Sequence, residues 1–330
     1  MIISNYPCIF GIIKITYKEG MHVGKLIILM ILSFFLVACG DTELPTTDQA
    51  LESQQEVVSD EKVVELPELS QDYSQFEDMD HLVRSIINQY ELNPQAISVA
   101  YHNYQSGEEY FFNERELIRA GSTTKVGLGR LFIDKINEGD LNWQSEFPYS
   151  DADYEDGAGP VTNGAKKEIY PLYELFFYSL SQSDNTAFNI LFNYYQENYG
   201  DVYQSLRDLS GLEFEQEESI SGNMADAHML LNILKPIGAD AQYSYLLTAL
   251  SGNTNDEYFK KYIQEGMYTK YGSIDGSLHD TGIYIEDNEA VYALVVMTDG
   301  QGTVEDFLGL INYRIYEWTK YQEYIDATNQ

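Results

Sequence analysis

Residues 97–125 read ISVAYHNYQSGEEYFFNERELIRAGSTTK, and their punctuation sets the architecture. Ile97–Tyr104 and Glu109–Asn113 are rich in β-branched and aromatic residues and flank Gln105-Ser106-Gly107, a hairpin turn signal. A helix is expected from Ser122 to Asn137, stopped by Glu138-Gly139-Asp140. Upstream, Met79–Tyr90 has the apolar spacing of an amphipathic helix. Downstream, a loop-like stretch to Tyr170 precedes helical patterns at Pro171–Leu180, Thr186–Glu197, Val202–Leu209, Met224–Leu234 and Asp240–Leu250. Strands return at Tyr268–Gly272, Gly276–Ile285 and Ala290–Met297, with Glu286-Asp287-Asn288-Glu289 as a turn, and a last helix runs from Val304 to Tyr324. Two strands, a helical middle, then three strands and a helix predict an α+β fold. Its antiparallel five-stranded sheet is built from both chain ends, and the central helices form a lobe of their own. A cleft is expected where sheet and lobe meet.

Three short motifs carry the chemistry. In Gly121-Ser122-Thr123-Thr124-Lys125 the serine and lysine are three apart, so on a helix they share a face. A desolvated Lys125 stays neutral enough to take the Ser122 proton, and a helix N-terminus offers N–H groups to developing negative charge. The triplet alone is weak, since Ser59-Asp60-Glu61-Lys62 repeats it in an acidic tract. The second motif, Ser183-Asp184-Asn185, lies between two expected helices, where its serine can relay a proton and its asparagine can hold a carbonyl. Ser221-Gly222-Asn223 and Ser251-Gly252-Asn253 show that S-x-N by itself is common. The third, Lys270-Tyr271-Gly272, begins the C-terminal meander. Its lysine can attract a carboxylate and its glycine lets a substrate backbone come close.

Composition narrows the field further. With 53 acidic against 19 basic residues the net charge is −34, which leaves little to neutralise phosphates and argues against nucleic acid as a partner. It also disfavours adsorption to an anionic membrane surface. Both cysteines, Cys8 and Cys39, lie in the first 40 residues, so neither a disulfide framework nor a thiolate cluster is available to the later chain. The histidines (His22, His81, His102, His228, His279) form no H-E-x-x-H pair. Neither a metal nor an organic cofactor is indicated.

The front end reads as an address. From Met21 the chain runs MHVGKLIILMILSFFLVACG, with Lys25 as the basic region and Leu26–Ala38 as an apolar stretch. Those 13 residues fall short of the ~20 a spanning helix needs. Residues 1–38 are therefore expected to be a signal peptide, with Met21 an alternative start. Residues 39–77, rich in Glu, Asp, Ser, Thr and Gln, lack the apolar surface to offset ordering entropy and predict an extended, disordered acidic stalk. The globular domain is expected over 78–330.

Taken in order, S-x-x-K, S-D-N and a K-T-G-like triplet are the set of class A β-lactamases and penicillin-binding proteins, and the chain resembles that family over about residues 79–325. Asp156-Gly157-Ala158-Gly159-Pro160 is similar to the loop ahead of the family's S-D-N helix, and Leu172-Tyr173-Glu174-Leu175 leads to Ser183-Asp184-Asn185-Thr186-Ala187 as its E-L…S-D-N-T-A run does. His279-Asp280-Thr281-Gly282 stands where the family has its second C-terminal strand. The resemblance implies a β-lactamase/transpeptidase-like fold. It implies Ser122 as acylated nucleophile, Lys125 as its general base, Ser183 as proton shuttle helped by Lys270, and Asn185 orienting the substrate amide. Gly272 would admit the substrate, and the N–H groups of Ser122 and Ser273 would form the oxyanion hole. Leu36-Val37-Ala38-Cys39 likewise resembles a bacterial lipobox, which implies lipid on Cys39, anchoring to the cell membrane and an extracytoplasmic location.

Two departures stand out. Tyr271 occupies the place of the family's threonine or serine. The family's E-x-x-L-N loop, whose glutamate activates the deacylating water, is absent between Ser210 and Met224; Glu213, Glu215, Glu217 and Glu218 are candidates by composition only. The expected function is a lipid-anchored serine hydrolase acting on an amide or ester of the β-lactam or cell-wall peptide type, slow to release its acyl group. The alternatives are a true class A β-lactamase, or an inert lipoprotein of this fold that binds cell wall or a protein partner.

Overall fold

The computed structural model describes residues 68–214, 223–253, 255–302 and 304–329. The signal segment, Cys39 and most of the acidic stretch lie outside these residues, as do Glu215, Glu217 and Glu218.

The elements in chain order are α1 (Met79–Gln89), β1 (Ile97–Asn103), β2 (Glu109–Phe112), β3 (Ile118–Arg119), a 3₁₀ turn (Gly121–Thr124) and α2 (Lys125–Glu138). They continue as β4 (Glu146–Pro148), α3 (Pro160–Asn163), β5 (Ile169–Pro171), α4 (Leu172–Ser181), α5 (Asn185–Asn198), α6 (Val202–Ser210), β6 (Met224–Ala225), α7 (Ala227–Ala239) and α8 (Ser244–Ser251). Last come β7 (Met267–Ile274), β8 (Ser277–Glu286), β9 (Glu289–Thr298) and α9 (Glu305–Thr328). The main sheet is antiparallel and five-stranded, in the order β2-β1-β9-β8-β7. Both chain ends build it, as expected.

Burial on both faces holds this sheet in the middle of the unit. Alternate residues of a strand point to opposite sides. In β9, Ala293, Val295 and Met297 join the core shared with the central helices, whereas Tyr292, Leu294 and Val296 join the core shared with α1 and α9. The near-continuous apolar run of β9 is the sequence mark of that double cover.

Several boundaries differ from expectation. Met224–Leu234 is not one helix. Met224 and Ala225 pair with Arg119 and Ile118, and α7 starts only after Asp226, whose carboxylate caps it by accepting from Met229 N (2.6 Å). The loop-like stretch to Tyr170 contains β4 paired with β5. Pro171 precedes α4 instead of opening its first turn, because it ends β5. The folded unit also begins before residue 78: Tyr73 is buried against α9, and Ser70 donates to the Glu317 carboxylate through both its N–H and its hydroxyl at 2.6 Å. Aromatic Tyr73 and Phe76 give this last part of the acidic stretch something to pack.

Candidate active site

The site forms where the first turn before α2, the α4–α5 junction and edge strand β7 meet. Ser122 lies in the 3₁₀ turn, and Lys125 follows as the first residue of α2. The turn is held from outside by Asn223, which adopts a left-handed conformation (φ 65°). Its Nδ2 donates to Gly121 O (2.9 Å), its Oδ1 accepts from Thr124 Oγ1 (2.8 Å), and its carbonyl accepts from Ala120 N (2.8 Å). Behind β3, the buried His279 ring accepts from Thr298 N at Nδ1 (3.0 Å), so its Nε2–H donates to Arg119 O (2.7 Å). That pattern assigns the neutral tautomer, and burial lowers its pKa.

Ser183 is the hub. It follows the last turn of α4 in the left-handed region (φ 55°), an uncommon place for a residue with a Cβ, costing roughly 1–2 kcal/mol. The conformation aims its hydroxyl into the cleft, where Ser183 Oγ donates to Ser122 Oγ at 3.0 Å. The same oxygen accepts from Lys270 Nζ (3.0 Å) and, at longer range, from Lys125 Nζ (3.4 Å). Asp184 is fully buried and secures the junction from below. It caps α5 through Ala187 N (2.9 Å) and accepts from Val161 N (2.7 Å) and from the Thr162 N–H and hydroxyl.

Lys125 donates to Ser183 O and to Asn185 Oδ1, both at 2.8 Å. Among the described residues it makes no hydrogen bond to Ser122 Oγ; the link expected from their spacing runs through Ser183. Only 4 % exposed, Lys125 has its pKa lowered to about 8 by burial, against the opposing pull of the Asp184 and Glu155 carboxylates. Lys270 is 1 % exposed. Its pKa is pushed well below the usual lysine value, by burial first and then by the Lys125 cation. The Tyr271 carbonyl also accepts from Lys270 Nζ (3.0 Å), and the Tyr271 ring centroid lies 4.8 Å from that nitrogen. Asn185 is oriented by its own amide, which donates to Asp156 O at 2.9 Å.

Two glycines bring β7 against the Ser122 turn. A Cβ on Gly272 would lie 2.5 Å from Ala120 O and 3.0 Å from Ser122 N, and one on Gly121 would lie 3.2 Å from Ser273 N. Only bare backbone allows this approach, and both Ser122 and Ser273 line the cleft at this rim. The cleft has two compartments: about 330 Å³ on the Ser122 and Lys125 side, and about 520 Å³ on the Ser183, Lys270 and Tyr271 side.

All seven residues expected at the site therefore converge. Glu213 belongs instead to the loop after α6, where its carbonyl accepts from Arg115 Nη2. Sequence reasoning missed Asn223, dismissed as a chance S-x-N, and Glu155, which lines the Ser122 compartment. Among the described residues no three His, Cys, Asp or Glu side chains converge to hold a metal ion.

A family model described as "Beta-lactamase enzyme family" matches residues 79–318. No curated protein sequence gives a significant match. Among solved structures the chain is similar to a point mutant of PBP-A in an acyl-enzyme complex with penicillin-G (16 % identity, TM-score 0.62, covering 75 % of this chain and 97 % of that one). It is also similar to a β-lactamase from Sphaerobacter thermophilus (19 %, 0.61, covering 72 % and 96 %) and to the TLA-3 extended-spectrum β-lactamase (18 %, 0.61, covering 73 % and 99 %). At these identities the structural likeness speaks for the fold, and the family model speaks for descent. The chain belongs to the β-lactamase enzyme family and is a serine hydrolase of the β-lactamase type.

Proposed function

We propose that Ser122 is acylated by an amide or ester substrate of the β-lactam or cell-wall peptide type, and that the acyl group leaves slowly. The observation that carries this reading is the placement of Ser183 Oγ within hydrogen-bond reach of Ser122 Oγ and Lys270 Nζ. Because Ser183 donates to Ser122, the Ser122 proton is free to go elsewhere. Lys125, with a pKa lowered to about 8, is the base that takes it, through a small adjustment or through Ser183. Ser183 then delivers a proton to the leaving nitrogen, and the neighbouring Lys270 favours that direction. Asn185 holds the substrate amide, while the N–H groups of Ser122 and Ser273 stabilise the oxyanion, at ~3–4 kcal/mol per donor. Slow release is inferred from the missing E-x-x-L-N loop. That a PBP-A mutant forms an acyl-enzyme with penicillin-G makes the same drug a sensible probe.

The signal-like segment and the lipobox-like Leu36-Val37-Ala38-Cys39 support the further reading that the enzyme is lipid-anchored at Cys39 and works outside the cytoplasm, without nucleic-acid partners. Intact mass of membrane-purified protein tests the anchor: a diacylglyceryl group on Cys39 is expected, and an unmodified cysteine rejects it. For the chemistry, the protein is incubated with penicillin G and with a fluorophosphonate. A persistent adduct on Ser122, absent from Ser122→Ala, is expected. Fast penicillin turnover without an adduct identifies an efficient β-lactamase instead, and inertness of the folded protein to both reagents identifies a binding module.

A further inference from the structure

The family's deacylating glutamate is missing from its usual loop, yet the Ser122 compartment is not without a carboxylate. Among the described residues lining it, Glu155 is the one acidic side chain, sharing the cavity with Ser122, Lys125, Asn185, Phe188 and Asn189. It comes from the loop between β4 and α3, far in sequence from the segment after α6.

Its backbone is fixed on both sides. Glu155 N donates to Thr186 Oγ1 (3.3 Å), and Glu155 O accepts from the Thr186 hydroxyl (3.3 Å). Thr162 and Thr186 are both buried, and Thr186 N donates to Thr162 Oγ1 (3.2 Å). The carboxylate itself is aimed by α5, where Asn189 Nδ2 donates to Glu155 Oε2 at 2.9 Å. Asn189 is held in turn by the Asp153 carbonyl (3.2 Å). One oxygen is thus pinned, and among the described residues no hydrogen bond is made to the other. The negative charge is felt at Lys125, whose pKa it helps to hold up against burial.

We propose that Glu155 is the general base for hydrolysis of the acyl-Ser122 intermediate, standing in from a different loop for the missing glutamate. The inference rests on the acyl-enzyme reading above. Glu155 takes a proton from a water in the Ser122 compartment as the water oxygen bonds to the ester carbon. The tetrahedral intermediate, held by the two rim N–H groups, collapses with cleavage of the bond from that carbon to Ser122 Oγ. The proton passes by way of Lys125 and Ser183 to Ser122 Oγ, so one water is consumed in forming the carboxylic acid product and the restored hydroxyl. A solvent-exposed base with one oxygen tied to Asn189 makes this release slow without abolishing it.

The test compares the wild-type protein with Glu155→Gln, an isosteric change that keeps an acceptor for Asn189. Each is acylated with penicillin G, or with p-nitrophenyl acetate as a second acylating reagent. Excess reagent is removed and loss of the adduct is followed by intact mass. Continued acylation, together with an adduct lifetime at least roughly tenfold longer than that of wild type, is expected for loss of a general base. An unchanged lifetime on a protein that still acylates overturns the role of Glu155 and leaves the acyl-enzyme reading intact. No adduct from either reagent on either protein, and no nitrophenolate burst, overturns both.

Discussion

Ser183 Oγ stands 3.0 Å from Ser122 Oγ because Ser183 is held in a left-handed backbone conformation between α4 and the buried Asp184 cap of α5. The hydroxyl and the strain are separable. Ser183→Gly keeps the backbone at ease and deletes the hydroxyl, both as proton relay and as acceptor for Lys270 Nζ. Acylation by penicillin G is expected to slow by about 10²–10⁴-fold, the range for a lost acid–base group. Stability should hold or rise by up to ~1 kcal/mol as strain is relieved. Mass-spectrometric acylation rates and thermal unfolding of the same sample check both halves; an unimpaired rate removes Ser183 from the reaction.

Lys125 predicts a pH dependence with a definite sign. In the proposed mechanism its neutral form is the base, and its pKa is lowered to about 8, so the acylation rate should climb about tenfold per pH unit below 8 and level off above it. Lys125→Arg, which cannot give up its proton, should be inactive throughout. The same shift bears on stability. Between about pH 8 and 10.5 Lys125 is protonated more fully in the unfolded chain than in the folded one, so its contribution to stability rises across that window. At pH 7 the buried cation costs at most ~3 kcal/mol, partly offset by its hydrogen bonds to Ser183 and Asn185. Lys125→Met is therefore expected to unfold at higher temperature than wild type at pH 7, with the gap closing towards pH 10. A gap that widens with pH contradicts the assignment.

Much of this was legible because it is written locally. That the sheet draws on both chain ends followed from the strand and turn signals there, and Ala290–Met297 was legible as a strand, although neither the strand order nor its burial on both faces was. Ser122, Lys125, Ser183, Asn185 and Lys270 were found because their motifs are short and ordered. What stayed hidden depends on contacts between distant segments. A two-residue pairing such as Ile118–Arg119 with Met224–Ala225 has no period to detect. Asn223 looked like a chance triplet because its value lies in gripping Gly121 and Thr124, about a hundred positions away. Glu155 was one glutamate among many until the fold carried Asn189 to its side chain. The spacing of Ser122 and Lys125 correctly predicted a shared face but not that Ser183 would stand between them.

Gly272 offers a steric test of the oxyanion rim. An alanine there would place Cβ 2.5 Å from Ala120 O, and backbone on both sides gives it nowhere to go. Edge strand β7 must move off the nucleophile turn, separating the N–H groups of Ser122 and Ser273. Gly272→Ala is expected to lose about 10²–10³-fold in acylation, the cost of one misplaced donor, while the far-ultraviolet circular dichroism is retained. Acylation at the wild-type rate would show that the two N–H groups do not act together.

His279 predicts an acid-sensitive brace behind the site. The fully buried ring needs Nδ1 unprotonated to accept from Thr298 N while Nε2–H holds Arg119 O, and burial lowers its pKa below 6.5. Below pH 6.5 the unfolded chain takes up a proton that the folded one resists. The ring's contribution is therefore full above pH 6.5 and declines as pH falls towards the folded-state value. Nearby Asp280, raised to about 7 by burial, pulls the other way, so raw stability curves mix the two. The difference between wild type and His279→Leu isolates the histidine. At pH 7 the variant leaves Thr298 N and Arg119 O unpartnered and should be less stable by ~2–4 kcal/mol; at about pH 5 the deficit should be smaller. Denaturant unfolding at both values measures it, and a deficit that grows on acidification would mean that the ring is held protonated.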